Sequence, residues 1–395
     1  MFGDPHQPFD ATESEIESRA EFDTHLAKRS LAGLIVLGLR LDREPPDLSE
    51  VDVTGTLFVG CEMPSAEAEL DVIRRGAHVI PPFDERPFPT HPALLYTPED
   101  LAAGFADHGF AGMYDTLVYQ HFLDHGGASP DLREAIAQRL HDAGVDNALG
   151  KALAAWFEVH GPRGAVGIMG GHAEPRGSDA YRMAAELAHR LAGAGRLIVT
   201  GGGPGVMEAA NLGAYFATRT AAELTEAIDL LAPAPDFRDH DPFTSAALAV
   251  RARYPMPAGV TGDVVAQLTH GGLALPTWLY GHEPANLFAG QIGKYFSNAV
   301  REDSILRLAR GGIVFAPGWA GTVQEVFQAA TKTFYRTDGP SGAFVFLGRA
   351  HWAGLPVEEL LKPLLARSPH GDQSHLIVVT DDLDEAMAAL EAPAT

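Results

Sequence analysis

The sequence predicts an α/β protein: a doubly wound parallel sheet with a smaller N-terminal α/β domain. Three observations predict it. From Ala165 onward short apolar runs alternate with helical patterns, and strands separated by helices pair in parallel. Two of the strand-to-helix turns, 200–206 and 316–322, are dense in glycine, as at the carboxyl edge of such a sheet, where ligands bind. Between residues 31 and 160 a shorter alternation precedes a breaker cluster, Gly161-Pro162-Arg163-Gly164, which sets a domain boundary.

Taken in order, residues 1–24 carry Asp4, Asp10, Glu13, Glu15, Glu17, Glu21 and Asp23 with few apolar partners and read as a loosely ordered acidic arm. An accessory domain over 25–160 is expected to hold strands at 31–41, 56–60 and 77–80, with a helix at 66–75. The proline-dense stretch 81–98 then stops regular structure, and Thr97-Pro98-Glu99-Asp100 opens a helix in cap order. Helices fill most of 98–159. The larger domain, 161–395, is expected to run strand 165–169, helix 178–194, strand 196–200 and helix 206–217. A helical, proline-containing insertion over 220–269 follows and reads as a lid. The alternation resumes with strand 273–275, helix 285–310, strand 312–316, helix 322–335, strand 343–347, helix 356–366, strand 375–379 and helix 383–390. No repeat period is evident.

Composition narrows the function. The chain has 395 residues, 46% hydrophobic and 21% charged, a folded globular composition long enough for two or three domains. Its 29 Lys and Arg against 52 Asp and Glu give a net charge of -23. Such a charge repels nucleic acid and anionic membrane surfaces alike. A small anion can still be held where a few arginines and backbone N–H groups converge. One cysteine, Cys61, excludes an internal disulfide and a cysteine-based metal site and fits a reducing cytoplasm; it reads as a small core residue. The apolar stretch 31–39 is too short to span a bilayer, and no export signal is read.

The first glycine-rich turn, Gly201-Gly202-Gly203-Pro204-Gly205, lies between a strand and a helix, so its N–H groups can converge on an anion at the positive helix end. A dinucleotide fingerprint fits poorly, because Val206 stands where its third glycine should be. The second turn, Pro317-Gly318-Trp319-Ala320-Gly321-Thr322, offers Thr322 to a phosphate with Glu325 one turn on. Thr322 and Glu325 also spell a capping box. His121 and His125 stand at a spacing that metals use, but no third ligand motif adjoins them. No serine-hydrolase elbow, zincin motif or P-loop is present.

Together, residues 201–207 and 317–325 resemble the paired motifs of the LOG ("Lonely Guy") phosphoribohydrolases. Within that group the sequence is most similar to bacterial pyrimidine/purine nucleotide 5′-monophosphate nucleosidases. Gly170-Gly171-His172, Met207-Glu208-Ala209, Gly213-Ala214 and Glu283-Pro284 with Asn286 extend the likeness over about 165–390. The family pattern has two adjacent glycines after the proline; here the first is Gly318, while Trp319 stands in place of the second and is followed by Ala320.

The resemblance implies a Rossmann-like fold and hydrolysis of the N-glycosidic bond of nucleoside 5′-monophosphates, giving a free base and ribose 5-phosphate, with no cofactor and no metal. By position it implies Arg301 and Glu325 as catalytic residues, and Gly201, Gly202, Gly203, Gly205, Gly318, Gly321 and Thr322 around phosphate. Gly171, His172, Met207, Glu208, Glu283, Asn286 and Trp319 are the expected substrate contacts. A cytoplasmic homo-oligomer, dimer or tetramer, is expected. The alternative is a nucleotide or cofactor carrier or sensor on the same fold, binding without hydrolysis.

Overall fold

Two parallel sheets organise the chain in a computed structural model that describes residues 14–83, 85–161 and 164–391. Of these residues, Tyr96–Tyr119 and those from 152 onward form one compact unit, and those up to 95 with Gln120–Lys151 form the other.

The smaller unit holds β1 (Glu15–Ile16), β2 (Ile35–Leu37), β3 (Leu57–Val59) and β4 (His78–Ile80), paired in that order and all parallel. Each strand is followed in space by the next in sequence. That stacking exposes a repeat which sequence reading misses: positive-φ glycines recur 22 residues apart at Gly33 and Gly55 and at Gly38 and Gly60, with Gly76 following Gly55 after 21. The repeated runs differ in every large side chain, so only the turn geometry carries the period. Phe22, Val36, Phe58, Cys61 and Val72 pack one core. Burial pushes the Cys61 thiol up to about 11, which fits an inert core residue.

The described part of the acidic arm is ordered, contrary to expectation. Ser18 and Glu21 form a capping box for helix Arg19–Ala27, while Ile16 and Phe22 enter the core. Lys151 sits 2.7 Å from both Glu15 and Glu17. The arm's few apolar residues are therefore used, and its charges are paired or face water. Residues 1–13 lie outside the described residues.

In the larger unit β5 (Ala165–Met169), β6 (Leu197–Thr200), β7 (Leu273–Ala274), β8 (Gln291–Ile292), β9 (Ile313–Phe315), β10 (Phe344–Leu347) and β11 (Ile377–Thr380) form one sheet, in the order β11-β10-β9-β5-β6-β7-β8. Every pairing is parallel. The chain winds outward from β5 to β8, then returns to β9 and winds the other way. Its switch point lies between the carboxyl ends of β5 and β9, the usual ligand position in such sheets.

The helix expected over 285–310 is only Asn298–Leu308, because Gln291–Ile292 pairs with β7 as an edge strand. Gly290 lies against the Gln267 carbonyl, where a Cβ would collide. The insertion folds into helices Ala221–Leu231, His240–Arg253 and Val264–Thr269 and is fastened to the core. Arg176 bridges Glu208 and the Phe243 carbonyl (2.8 Å), and the Tyr215 hydroxyl donates to the Tyr254 carbonyl at 2.8 Å. Among the described residues no helix is long and apolar enough to cross a membrane.

Candidate active site

A cleft of about 510 Å³ opens at the switch point. The chain ends of β5, β6, β7 and β9 supply it: Gly171 donates its N–H to the Pro317 carbonyl (2.9 Å), joining the first and last of these turns. Gly171, His172, Gly201, Gly202, Gly203, Met207, Glu283, Arg301, Trp319, Gly321, Thr322 and Glu325 line it. These residues are far apart in sequence, and the sheet's edge gathers them.

Glu325 is no cap. Helix Ala320–Tyr335 begins before Thr322 with Trp319 at its N-cap, and no side chain caps it. The capping-box reading needs Thr322 at the N-cap, so it fails by register. The first intrahelical bond runs from the Val323 N–H to the Trp319 carbonyl (2.9 Å); the N–H groups of Ala320, Gly321 and Thr322 precede it, have no partner within the helix, and belong to cleft-lining residues. Free N–H groups at a helix start are of the kind that can hold an anion. His351 Nε2 lies 2.9 Å from the Gly318 carbonyl oxygen, steadying the loop. Trp319 is 76% exposed and meets His351 edge-on at 5.4 Å, so it stands at the mouth and does not plug the cleft.

Arg301 is almost fully buried and points inward from helix Asn298–Leu308. Its Nε donates to the Leu275 carbonyl (2.7 Å) and a terminal nitrogen donates to the Gly201 carbonyl (3.0 Å). Its remaining nitrogen, Nη1, sits 4.0 Å from both Glu302 and Glu325. Burial raises the Glu325 carboxyl to about 7, against the pull of Arg301, with Glu302 adding to the rise. Glu283 is raised by burial to about 7 as well, against Arg301 and Lys294. His172 Nδ1 lies 3.9 Å from Glu283, and desolvation lowers the imidazole.

Placement alters several expected roles. The family resemblance puts Gly201, Gly202 and Gly203 around phosphate; all three line the cleft, and at Gly201 and Gly203 protein fills the space that a side chain would take. A Cβ on Gly201 would collide with the Arg301 guanidinium, and one on Gly203 would lie 2.8 Å from Glu283 Oε2. Gly202 donates its N–H to the Thr200 hydroxyl (3.1 Å). Gly205, at φ +68°, packs against the Gly171 and His172 carbonyls and is not among the residues that line the cleft.

Glu208 and Asn286 do not line the cleft. Arg176 and Tyr181 bond both oxygens of Glu208 (2.5, 2.8 and 3.0 Å). Asn286 donates to Asn211 (3.0 Å) and accepts from the Phe288 N–H (3.1 Å). Both hold the framework. His121 and His125 stack on each other at 3.9 Å, and among the described residues no group of three or more potential metal ligands occurs.

Sequence reading misses Glu302, Gln324 and Lys294. Glu302 accepts from Asn298 (2.8 Å) and Gln324 (2.7 Å) beside Arg301. Its neighbours Ile305, Leu306 and Leu308 are buried, and this is the signal that Arg301-Glu302 is no solvated charge run. Lys294 donates to Asp115 at 2.5 Å, with the Trp278 indole N–H on the same oxygen at 2.9 Å. A lone lysine inside the run Gly290-Gln291-Ile292-Gly293-Lys294-Tyr295-Phe296 is its signal in sequence.

Residues 163–221 match the family model described as SLOG cluster4 family. The match covers β5, the first crossover helix, β6, the glycine-rich turn and the helix after it, and makes this segment similar to the SLOG superfamily, which includes LOG-like proteins. No curated protein matches the chain. A parallel α/β core with its cleft at the switch point agrees with a Rossmann-like SLOG fold.

Proposed function

We propose that the cleft hydrolyses the N-glycosidic bond of nucleoside 5′-monophosphates. The observation that carries this reading is Glu325: a carboxyl only 13% exposed and no cap, one turn inside a helix whose N-terminal N–H groups belong to residues lining the same cleft. The helix start takes the 5′-phosphate, with the Thr322 hydroxyl beside it. The stretch from Ala320 to Glu325 then sets the sugar beside the carboxyl. As the C1′–N bond lengthens, positive charge develops on the ribose, and an ionised Glu325 stabilises it while accepting a proton from the attacking water. Arg301, clamped by two carbonyls, keeps Nη1 for Glu325 and the ribose hydroxyls.

A wider depression lined by Glu186, Asp381, Asp382, Asp384 and Glu385 is a poor rival, because its two arginines, Arg190 and Arg349, are already paired with Glu186, Asp384 and Glu385 and the carboxylates outnumber them. Incubation with a panel of nucleoside monophosphates and nucleosides, with free base and ribose 5-phosphate resolved by chromatography, tests the proposal. Release from monophosphates with nucleosides spared is expected. A protein that binds monophosphates and releases no base would instead be a carrier or sensor.

A further inference from the structure

The glycosidic bond has two ends, and the carboxylate beside the sugar serves only one. Ring nitrogens of nucleobases leave poorly as anions, so breaking the bond at a useful rate calls for a proton on the departing base. A second carboxyl faces the cleft. Glu283 comes from the segment after β7, outside the helix that carries Glu325, so the two approach a bound substrate from different elements.

Its setting is built for a carboxyl close to backbone. Gly203 leaves it room, since a Cβ there would come within 2.8 Å of Glu283 Oε2 and 2.7 Å of the Met207 methyl. His172, half-exposed, stands 3.9 Å from the other oxygen and connects it to solvent. Among the described residues no side-chain hydrogen bond fixes the Glu283 carboxyl as a framework group, in contrast to Glu208 with its three bonds. We infer that Glu283 is the general acid that protonates the leaving base, with His172 returning the proton from water. This assignment rests on the hydrolytic reading of the cleft.

The step balances. The C1′–N bond breaks with its electron pair going to the base, and the Glu283 proton moves to that base. Water adds its oxygen to C1′ and gives a proton to Glu325. His172 resupplies Glu283 as Glu325 releases its proton to solvent, leaving the enzyme unchanged. The flanking charges suit the division of labour: both carboxyls are held near 7 by burial, and Arg301 acts on both. One proton shared over two such groups at neutral pH supplies an acid and a base together.

The test compares two leaving groups in Glu283→Gln. One substrate is the best natural nucleoside monophosphate; the other is 4-nitrophenyl β-D-ribofuranoside 5-phosphate, whose phenolate departs without a proton. Loss of about 100-fold or more on the nucleotide, with the nitrophenyl substrate cleaved within a few-fold of the parent, is expected. Glu325→Gln should lose both. Equal losses on the two substrates, or no loss on either, overturn the assignment while leaving the hydrolytic reading intact. A parent that cleaves neither overturns both. If the amide variant does not fold, Glu283→Asp, which withdraws the acid by one methylene, should show the same split between substrates, and an even loss overturns the assignment.

Discussion

Glu325 and Glu283 are costly residues to bury, and that cost is measurable. Each carboxyl titrates at about 7 in the folded chain, against an ordinary value of 4.5. The folded state therefore holds protons that the unfolded state has already released, so these groups weaken the fold progressively as pH rises from about 4.5 to about 7, and remain unfavourable above. Glu325→Gln removes the charge and keeps the shape. It should be more stable than the parent at pH 8, by on the order of 2 kcal/mol, and equal to it near pH 4. Denaturant titrations at the two pH values check this, and no gain at pH 8 would mean that Glu325 is solvated. Activity has the opposite sign, because Glu325 must ionise: kcat/KM should rise as pH approaches 7 from below.

At the scale of elements, the two glycine-rich turns do different work. Gly321 faces open space, with nothing within 4 Å of the point where a Cβ would stand, so Gly321→Ala should fold normally and gain about 0.5–1 kcal/mol from helix propensity. Any penalty must then come from the ligand, and KM for the monophosphate should rise while the thermal midpoint does not fall. Gly201→Ala meets the Arg301 guanidinium and should lose turnover instead. Kinetics on the two variants separate clearance from contact.

The same elements show what can be read in sequence. The unit β5, helix Asp179–Gly193, β6 and helix Val206–Tyr215 is legible because long apolar runs sit between sharp glycine turns. Residues 285–297 read as helix in the sequence because the edge strand is two residues long and exists only through pairing with β7. Arg301 and Glu325 stand out by motif. Glu302 and Lys294 do not, since a charge looks the same in sequence whether it faces water or a cleft. The helix start at Ala320, which removes Glu325 from any capping box, depends on how the loop leaves β9.

Across the larger unit, the insertion that the sequence suggests as a lid is tied to the core by Arg176 and Tyr215. Arg176 lies over the Phe243 ring at 3.2 Å and neutralises Glu208, so Arg176→Ala strands a buried carboxylate. A loss of about 3–5 kcal/mol is expected, read as a fall in the thermal midpoint, and Arg176→Ala with Glu208→Gln together should recover part of it. The framework exists to hold one cleft at the switch point of the large sheet. The most direct test is therefore the rate of ribose 5-phosphate release from nucleoside monophosphates, measured side by side for the parent and a folded Glu325→Gln protein. Release by the parent, reduced at least about 100-fold in the variant with monophosphate binding kept, is the predicted result; equal release by both proteins, or none by the parent, would contradict it.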